Sequence, residues 1–412
     1  MTELFKVATV CEARRIIWEE CIRQQKIETV PLLEALGRRT AKEILAGDNL
    51  PGFTRSTMDG FAVRARDTFG ASESLPAYLE IAGEVLMGKE PLGRLEAGKA
   101  WRIATGGMLP QGADAVVMVE YTENLDEDTI GVIRPVAPGE NLILKGEDVV
   151  SGSPVLQPGN RIKAQDLGVL AAAGVTAVEV FCKTRVGIIS TGDEIVSPDQ
   201  KPPPGKVRDI NSYSLFGAII EAGGKPVQYG IAGDDFQRIY GLLALALEDN
   251  DIVLLTGGSS VGTKDMAVQA IGSLGKPGVL FHGLAIRPGK PAVGAVVSGK
   301  PVFGLPGHPA SALVVFYLLI DPLIRLGSYP NEDEDFLEFP ICARITRNLR
   351  SAPGRDDFVQ VRLVNVEGEL CAEPVLGKSG LISTLVKANG LARIPAGKEG
   401  VQAGEIVRIR LF

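Results

Sequence analysis

Residues 251–265 read DIVLLTGGSSVGTKD, a short apolar run followed by a glycine-rich turn and the start of a helical pattern. The run contains only apolar residues and Thr between Asp251 and the glycines, which favours a buried strand. The turn then supplies backbone N–H groups, a helix N-terminus, Lys264 and Asp265, so a phosphate group would fit there. We therefore predict a strand, an anion-binding turn and a helix in that order.

The same alternation of strand and helix continues on both sides of this stretch. Four strand-like runs, TRVGIIS, KPVQYGI, DIVLLT and PVFGL, are separated by helical patterns between residues 184 and 327. This alternation predicts an α/β layer on a mostly parallel sheet, in which ligands bind beyond the carboxyl ends of the strands. Further loops of this kind lie at Ser190–Glu194, Arg287–Pro291 and Gly304–Ser311. Together they predict a glycine-lined crevice that carries both cations and carboxylates.

The chain outside this layer is strand-rich, so the predicted fold class is multidomain α/β plus β. We predict a discontinuous domain (1–48 with 145–180), a β-rich insertion domain (49–144), the α/β domain (181–328) and a C-terminal β-barrel or sandwich domain (329–412). Residues 9–26 predict an amphipathic N-terminal helix, because their apolar side chains recur near helical spacing.

Composition and charge disfavour several classes of protein. The 412 residues carry a formal charge of −7 without a long basic run, so non-specific nucleic-acid binding lacks an electrostatic basis. The apolar runs are shorter than the ~18 residues of a membrane span, and the N-terminus does not resemble a secretion signal. We therefore expect a cytoplasmic protein without a membrane-spanning segment. Five Cys without CxxC spacing and only two His disfavour disulfides and a multi-histidine metal centre, so a bound metal should have oxygen ligands.

The motif content leaves one alternative chemistry open. The chain contains neither GxGxxG nor GxxxxGK[ST], which disfavours dinucleotide-binding and P-loop proteins. Residues 258–262 match the GxSxG pattern of hydrolases, and a triad would combine Ser260 with an acid and either His282 or His308. The adjoining glycines and charged pair fit anion and metal binding better than a nucleophile. The hydrolase is kept as an alternative hypothesis.

Eight motifs follow one another along the chain: STMDGFAV, ATGGMLPQGADAVV, GEDV, STGDEIV, DINSYSL, LLTGGSSVGTKD, RPGKP and GLPGHPAS. With them the chain resembles, essentially from end to end, the MoeA family of molybdopterin molybdenumtransferases, which includes the gephyrin E domain. The resemblance implies an elongated four-domain homodimer in which the α/β domain of one subunit faces the β-rich insertion of the other. It also implies a reaction that inserts molybdate into adenylated molybdopterin and releases AMP, with Mg²⁺ as cofactor.

The resemblance further implies roles for individual residues. It places Mg²⁺ on Glu194 and Asp265, and it makes Asp59 reach across the dimer interface. The residues implied to be catalytic are Asp59, Thr105, Asp148, Glu194, Asp234 and Asp265. The residues implied to bind the pterin, phosphate or molybdate are Gly257, Gly258, Ser260, Gly262, Lys264, Arg287, Lys290, Pro306, Gly307, Pro309 and Ser311.

Two positions depart from the family pattern. His308 stands where Asn is common, and Phe61 stands where Tyr is frequent. These differences are compatible with a paralogue that prefers tungstate, and a further hypothesis is a pterin-binding scaffold or carrier whose catalytic role has faded. The resemblance also implies contact with a molybdopterin adenylyltransferase and with recipient molybdoenzymes, but no nucleic-acid or membrane partner.

Overall fold

The computed structural model describes residues 7–22, 26–257, 261–327 and 338–412, and of residues 261–265 it describes the backbone. Within these ranges the chain forms two compact units. The β-rich unit is Gln25–Cys182, and the α/β unit combines the described parts of Met1–Gln24 and Lys183–Phe412. The four domain boundaries predicted from the sequence are finer than this division and stay predictions.

The helices begin with a capped N-terminal helix. The Thr9 side chain accepts a hydrogen bond from the Glu12 N–H, and the Glu12 carboxylate accepts one from the Thr9 N–H. This helix confirms the predicted amphipathic helix, although it ends at Glu20. The helices are α1 (Val10–Glu20), α2 (Ala164–Ala172), α3 (Asn211–Ala222), α4 (Phe236–Asp249), α5 (Val261–Ser273), α6 (Pro309–Val315), α7 (Asp321–Leu326) and α8 (Ile382–Lys387). Short 3₁₀ turns occupy Leu32–Glu34, Ala65–Thr68 and Val119–Tyr121.

The β-rich unit contains the first twelve described strands. They are β1 (Ile27–Pro31), β2 (Ile44–Leu45), β3 (Arg55–Ser56), β4 (Gly60–Val63), β5 (Ala77–Glu84), β6 (Lys99–Ile103), β7 (Ala115–Met118), β8 (Thr122–Asn124), β9 (Thr129–Val132), β10 (Leu142–Ile143), β11 (Pro154–Leu156) and β12 (Ala177–Phe181). One sheet has the order β7-β4-β6-β5-β9-β8. The antiparallel pairs β1–β12, β2–β11 and β3–β10 join segments that precede this sheet to segments that follow it.

The α/β unit is built on a mostly parallel sheet, which confirms the predicted fold class. Its strands are β13 (Arg185–Thr191), β16 (Lys225–Ala232), β17 (Ile252–Gly257), β18 (Pro277–His282), β20 (Val293–Val297) and β21 (Lys300–Leu305). The sheet order is β16-β13-β17-β21-β20-β18, and the first four strands are parallel. Strand β20 runs antiparallel to both of its neighbours. The short strands β14 (Ile195–Val196), β15 (Val207–Arg208) and β19 (Ile286–Arg287) lie in loops beyond this sheet.

Successive residues of a strand point to opposite faces of the sheet. Both sets are apolar here, so helices cover both faces. Ile188 and Leu254 pack in a core that includes residues of α1, α3 and α6. Ile189 and Leu255 pack on the other side, with residues of α4 and α5. Both faces are apolar and covered, as expected for a parallel sheet.

The order of the strands reverses beside β13. From β13 the chain crosses through α3 to β16 on one side, and then through α4 to β17 on the other side. In open α/β sheets, ligands bind outside the carboxyl ends of the strands at such a reversal. The topology therefore places the binding crevice next to Thr191 and Gly257, where β13 and β17 end.

The longest helical stretch of the described residues is a core element. A π-helical turn, Phe316–Ile320, joins α6 to α7, so that Pro309–Leu326 is continuously helical over 18 residues. By length and composition this stretch could cross a membrane, but 83% of it is buried within the protein. The apolar sequence run ends at Asp321, yet the helix continues, because the buried Asp321 carboxylate is paired with Arg325 and Arg410.

The C-terminal strands form the predicted barrel. They are β22 (Ile341–Ile345), β23 (Leu349–Arg350), β24 (Asp356–Val366), β25 (Glu369–Pro374), β26 (Gly390–Ile394), β27 (Gly400–Val401) and β28 (Ile406–Leu411). The order β24-β25-β22-β28-β26 closes on itself through a β24–β26 pairing. Strand β19 adds to this sheet by pairing in parallel with β24, which ties a loop of the α/β layer to the barrel.

The end of β17 tolerates only glycine. Gly257 has a φ of +122°, and a Cβ there would lie 1.8 Å from the Thr191 carbonyl oxygen. We expect Gly257→Ala to destabilise the α/β unit by about 2 kcal/mol or more, because both the backbone strain and the clash must be relieved. The matched control is Gly205→Ala, which also has a positive φ (+86°) but no heavy atom within 4 Å of the added Cβ. Urea unfolding midpoints that fall equally in the two variants would contradict this account.

Candidate active site at the carboxyl edge of the sheet

The loops after β13 and β16 are joined by a hydrogen bond. The Asp234 N–H donates to Asp193 Oδ1 at 3.0 Å, and a Cβ on Gly233 would lie 2.6 Å from the same oxygen. Glycine at position 233 therefore lets the two loops approach each other closely. This brings Asp234, a residue predicted to be catalytic, next to the loop that carries Glu194.

Glu194 offers a carboxylate at this edge. Its side chain lies over Gly192, where a Cβ would be 2.6 Å from Glu194 Oε2. Glu194 is half-buried, and its carboxylate makes no hydrogen bond or ion pair with another described residue. No cluster of three or more metal-ligating side chains occurs in the described part of the chain. The second predicted metal ligand, Asp265, has its side chain outside the described residues.

The glycine-rich turn after β17 is described only at its ends. Gly257 lies at the strand end, whereas the predicted binding residues Gly258 and Ser260 fall outside the described residues. Gly262 and Lys264 lie in α5, and nothing is described of the lysine side chain. A pocket of about 30 Å³ lies at this edge of the sheet. Its lining combines the strand residues Thr191, Gly257 and Gly304 with Pro291, which precedes β20, and with apolar residues of α5.

Sequence reasoning missed two buried residues at the start of α3, Asp209 and Asn211. The Asp209 carboxylate accepts hydrogen bonds from Ser190 Oγ at 2.6 Å and from Ser212 Oγ at 2.7 Å. Asn211 Nδ2 donates to Thr256 Oγ1 at 2.7 Å and to the Gly307 carbonyl oxygen at 2.9 Å. Together they tie α3 to the ends of β13 and β17 and to the turn after β21. The available signal was the motif DINSYSL, in which Asp209 precedes a helix and Asn211 begins it.

The predicted binding loop Arg287–Pro291 begins in β19, the strand that pairs with β24 of the barrel. Arg287 and Lys290 are exposed, and the Leu284 N–H donates to the Lys290 carbonyl oxygen at 2.8 Å, which closes the loop. Gly289 is needed inside it, because a Cβ would lie 2.8 Å from Ile286 and 2.9 Å from Val315. Two cationic side chains are thus presented by a tightly packed backbone.

The last glycine loop contains both exposed and buried members of the predicted set. Pro306 and Pro309 are buried, Ser311 is 5% exposed, and Gly307 is half-buried. His308 is exposed, and its Nδ1 lies 3.1 Å from Ser379 Oγ, within hydrogen-bonding distance. The barrel therefore supplies a partner for the side chain that departs from the family pattern.

In the β-rich unit, two predicted catalytic residues are in direct contact. Asp59 Oδ1 accepts hydrogen bonds from the Thr105 N–H at 2.7 Å and from Thr105 Oγ1 at 2.9 Å. The backbone bond and, after it, the hydroxyl bond lower the pKa of Asp59 below its usual value. Asp148 is exposed and its N–H donates to the Leu50 carbonyl oxygen. Phe61 is 3% exposed, and the Arg102 guanidinium lies 5.4 Å from its ring centroid.

The pKa of Asp59 can be tested through its hydroxyl partner. We expect Thr105→Val to raise the pKa of Asp59 while leaving it below the usual value, because the backbone bond, which is the larger cause, remains. Since the folded-state pKa is depressed, the associated stability is present above the unfolded-state pKa and lost as the pH falls through the folded-state value. The measurement is an NMR titration of the Asp59 carboxyl carbon, with Thr122→Val as a control whose hydroxyl bonds a local carbonyl. An unchanged titration in Thr105→Val would contradict this assignment.

Three family models match consecutive parts of the chain. They are described as "MoeA N-terminal region (domain I and II)" for residues 8–174, "Probable molybdopterin binding domain" for residues 187–326, and "MoeA C-terminal region (domain IV)" for residues 342–412. Together they cover both compact units.

Full-length relatives point to the same family. The chain is 34% identical to the molybdopterin molybdenumtransferase of Bacillus subtilis, over 95% of this chain and 91% of the relative. It is 34% identical to molybdopterin molybdenumtransferase 2 of Mycobacterium tuberculosis, over 97% and 98% of the two chains. The crystal structure of the molybdopterin biosynthesis moeA protein from Pyrococcus horikoshii OT3 matches with a TM-score of 0.84 and 33% identity, covering 99% of this chain and 100% of that chain. The chain therefore belongs to the MoeA family of molybdopterin molybdenumtransferases.

Proposed function

We propose that this protein inserts molybdate into adenylated molybdopterin and releases AMP. The observation that carries the proposal is the meeting of glycine-bearing loops at the carboxyl edge of one sheet, where Glu194, Asp234, Arg287 and Lys290 are displayed. A polyanionic substrate and an oxyanion both require local cations and N–H donors in a chain whose net charge is −7. The glycine loops supply the N–H groups, and Arg287 and Lys290 supply positive charge.

The proposed reaction requires the protein mainly to position its two substrates. Two Mo–S bonds form to the dithiolene sulfurs, and one molybdate oxygen leaves as water with the two thiol protons. One water cleaves the phosphoanhydride and releases AMP, so the overall exchange is balanced. No side chain has to act as a covalent nucleophile, which makes the Ser260 hydrolase hypothesis unnecessary. Orientation and electrostatic stabilisation would provide the rate enhancement.

Magnesium is assigned to Glu194 and Asp265. Mg²⁺ is bound by one or two carboxylates together with phosphate oxygens and waters, and the available Glu194 carboxylate fits this requirement. When bound, the ion would neutralise phosphate charge as AMP leaves. The hydrogen bond from the Asp234 N–H to Asp193 Oδ1 keeps the loop that carries Asp234 beside the loop that carries Glu194.

The site is proposed to be completed in a homodimer. Asp59, Thr105 and Asp148 belong to the β-rich unit, and in this proposal they serve the α/β unit of the partner subunit. We further propose a cytoplasmic location, receipt of substrate from a molybdopterin adenylyltransferase, and delivery of the product to molybdoenzymes. The tungstate-specific paralogue and the non-catalytic carrier are the competing hypotheses.

The first experiment measures AMP release from adenylated molybdopterin with Mg²⁺ and either molybdate, tungstate or no oxyanion. We expect release that depends on molybdate. Release only with tungstate would identify the paralogue, and tight pterin binding without release would support the carrier.

The metal assignment has its own test. Asp265→Asn should abolish Mg²⁺-dependent AMP release, because it removes a charged ligand. Cys182→Ser should leave release nearly unchanged, because Cys182 lies between β12 and β13 and outside the loops at the carboxyl edge. Equal rates in Asp265→Asn and the parent would refute the assignment.

A shared site predicts complementation between subunits. If an Asp59→Asn chain is mixed with a Glu194→Gln chain, random pairing should restore about a quarter of the sites. Mixing Asp59→Asn with Asp148→Asn should restore none, because both residues come from the same unit. Absence of recovery in verified heterodimers of the first pair would contradict the shared site.

A further inference from the structure

Asn211 links two loops of the proposed substrate site from a buried position. It is the first residue of α3 and is 8% exposed. Its Nδ2 donates both to Thr256 Oγ1, at the end of β17, and to the carbonyl oxygen of Gly307, in the turn after β21. Because the Gly307 carbonyl can only accept, the amide orientation is fixed by this contact. The Asn211 side chain thus donates one N–H to the end of β17 and the other to the turn after β21.

Within the described part of the chain, the oxygen of the same amide has no hydrogen-bond partner. Asn211 Oδ1 is buried and accepts no hydrogen bond from the described residues. A buried acceptor of this kind is destabilising, and such groups call for a specific explanation. The contacts that the described residues provide for this side chain are therefore the two made by its N–H donors, to Thr256 and Gly307.

The bond to Gly307 sets the direction of a peptide group. The Gly307–His308 peptide is trans, so its carbonyl and its N–H point in opposite directions. With the carbonyl held by Asn211, the His308 N–H points away from α3. The His308 N–H donates to no described residue. Gly307 is half-buried and His308 is exposed, so a solute can approach this N–H from solvent.

We propose that Asn211 is a positioning residue that holds the Gly307–His308 peptide so that its N–H donates to a tetrahedral oxyanion of the substrates. The proposal rests on the proposed function, because it deepens the role of the Pro306–Gly307 turn. The oxyanion is either molybdate or the phosphate of the nucleotide, and the two share the same recognition chemistry. Loss of the Asn211 donors would free the peptide to turn and would weaken oxyanion binding.

Asn250 provides a matched control. It is 1% exposed, its Nδ2 donates to Tyr229 Oη at 2.7 Å and to the Ala246 carbonyl oxygen at 2.8 Å, and its Oδ1 is also unsatisfied among described residues. It differs in position, since it precedes β17 and so lies at the amino edge of the sheet. Asn250→Asp therefore makes the same chemical change as Asn211→Asp, away from the site.

The test uses the small number of histidines. Full-length protein labelled with ¹⁵N-histidine has two backbone His amides, His282 and His308, so His308 can be followed in the intact chain. Molybdate and AMP are titrated separately, which distinguishes the two oxyanion sources. We expect a saturable shift of the His308 amide with at least one of them, and at least tenfold weaker binding in Asn211→Asp and Asn211→Ala. Asn250→Asp should bind within about twofold of the parent, and so should Thr256→Val, which leaves the Gly307 bond in place.

The possible outcomes separate this inference from the proposed function. Unchanged affinity in folded Asn211 variants, an equal loss in Thr256→Val, or no His308 shift in the parent with either anion would each overturn the role of Asn211. In AMP release, the variants should raise KM more than they lower kcat, while Asn250→Asp should leave KM unchanged. A His308 shift that depends on Asn211, without any AMP release by the parent, would support the inference and reject the proposed reaction.

Discussion

The parallel pairing of β13 with both β16 and β17 is the constraint on which the rest of the site depends. Parallel pairing brings the carboxyl ends of these strands to one edge, and the reversal of strand order beside β13 leaves room between the loops that follow. The close approach of Gly257 to the Thr191 carbonyl then fixes how near the loops can come. Asp193 and Asp234 can share a hydrogen bond only because their strands end side by side.

The sequence was sufficient to predict the layers but not the contacts that hold the loops together. Hydrophobic periodicity and strand and helix alternation are local patterns, so the parallel sheet, the amphipathic first helix and the strand-rich C-terminal domain could be predicted from them. The bonds of Asn211 to Thr256 and Gly307 join residues 45 and 96 positions apart, and no local pattern encodes them. Asp321 shows the same limit: as a charge it ends the apolar run, but its distant partner Arg410 keeps it inside the helix.

Asp209, Asp59 and Glu194 illustrate how the surroundings of a carboxylate determine what it can do. Asp209 is buried and accepts several hydrogen bonds from serines, which suits a fixed structural link. Asp59 is exposed, and its contact with Thr105 favours the charged form, which suits an anionic group presented to another surface. The Glu194 carboxylate makes no hydrogen bond or ion pair with another described residue, which is compatible with its proposed role as a cation ligand. The sequence gives all three the same chemistry, and only the surrounding donors distinguish them.

The position of the cationic side chain of Arg287 depends on the barrel as well as on the sheet. Arg287 lies in β19, which pairs with β24 of the barrel, and in this register Arg287 is opposite Asp357. Asp357 is itself 4% exposed and paired with Arg355, so the strand that supports the loop is anchored. An oxyanion site must hold its donors in a fixed geometry, and a loop attached at one end only would not do so. Because the chain is acidic overall, the proposed oxyanion site needs a local positive region, and the β19–β24 pairing holds the strand that carries Arg287 in place.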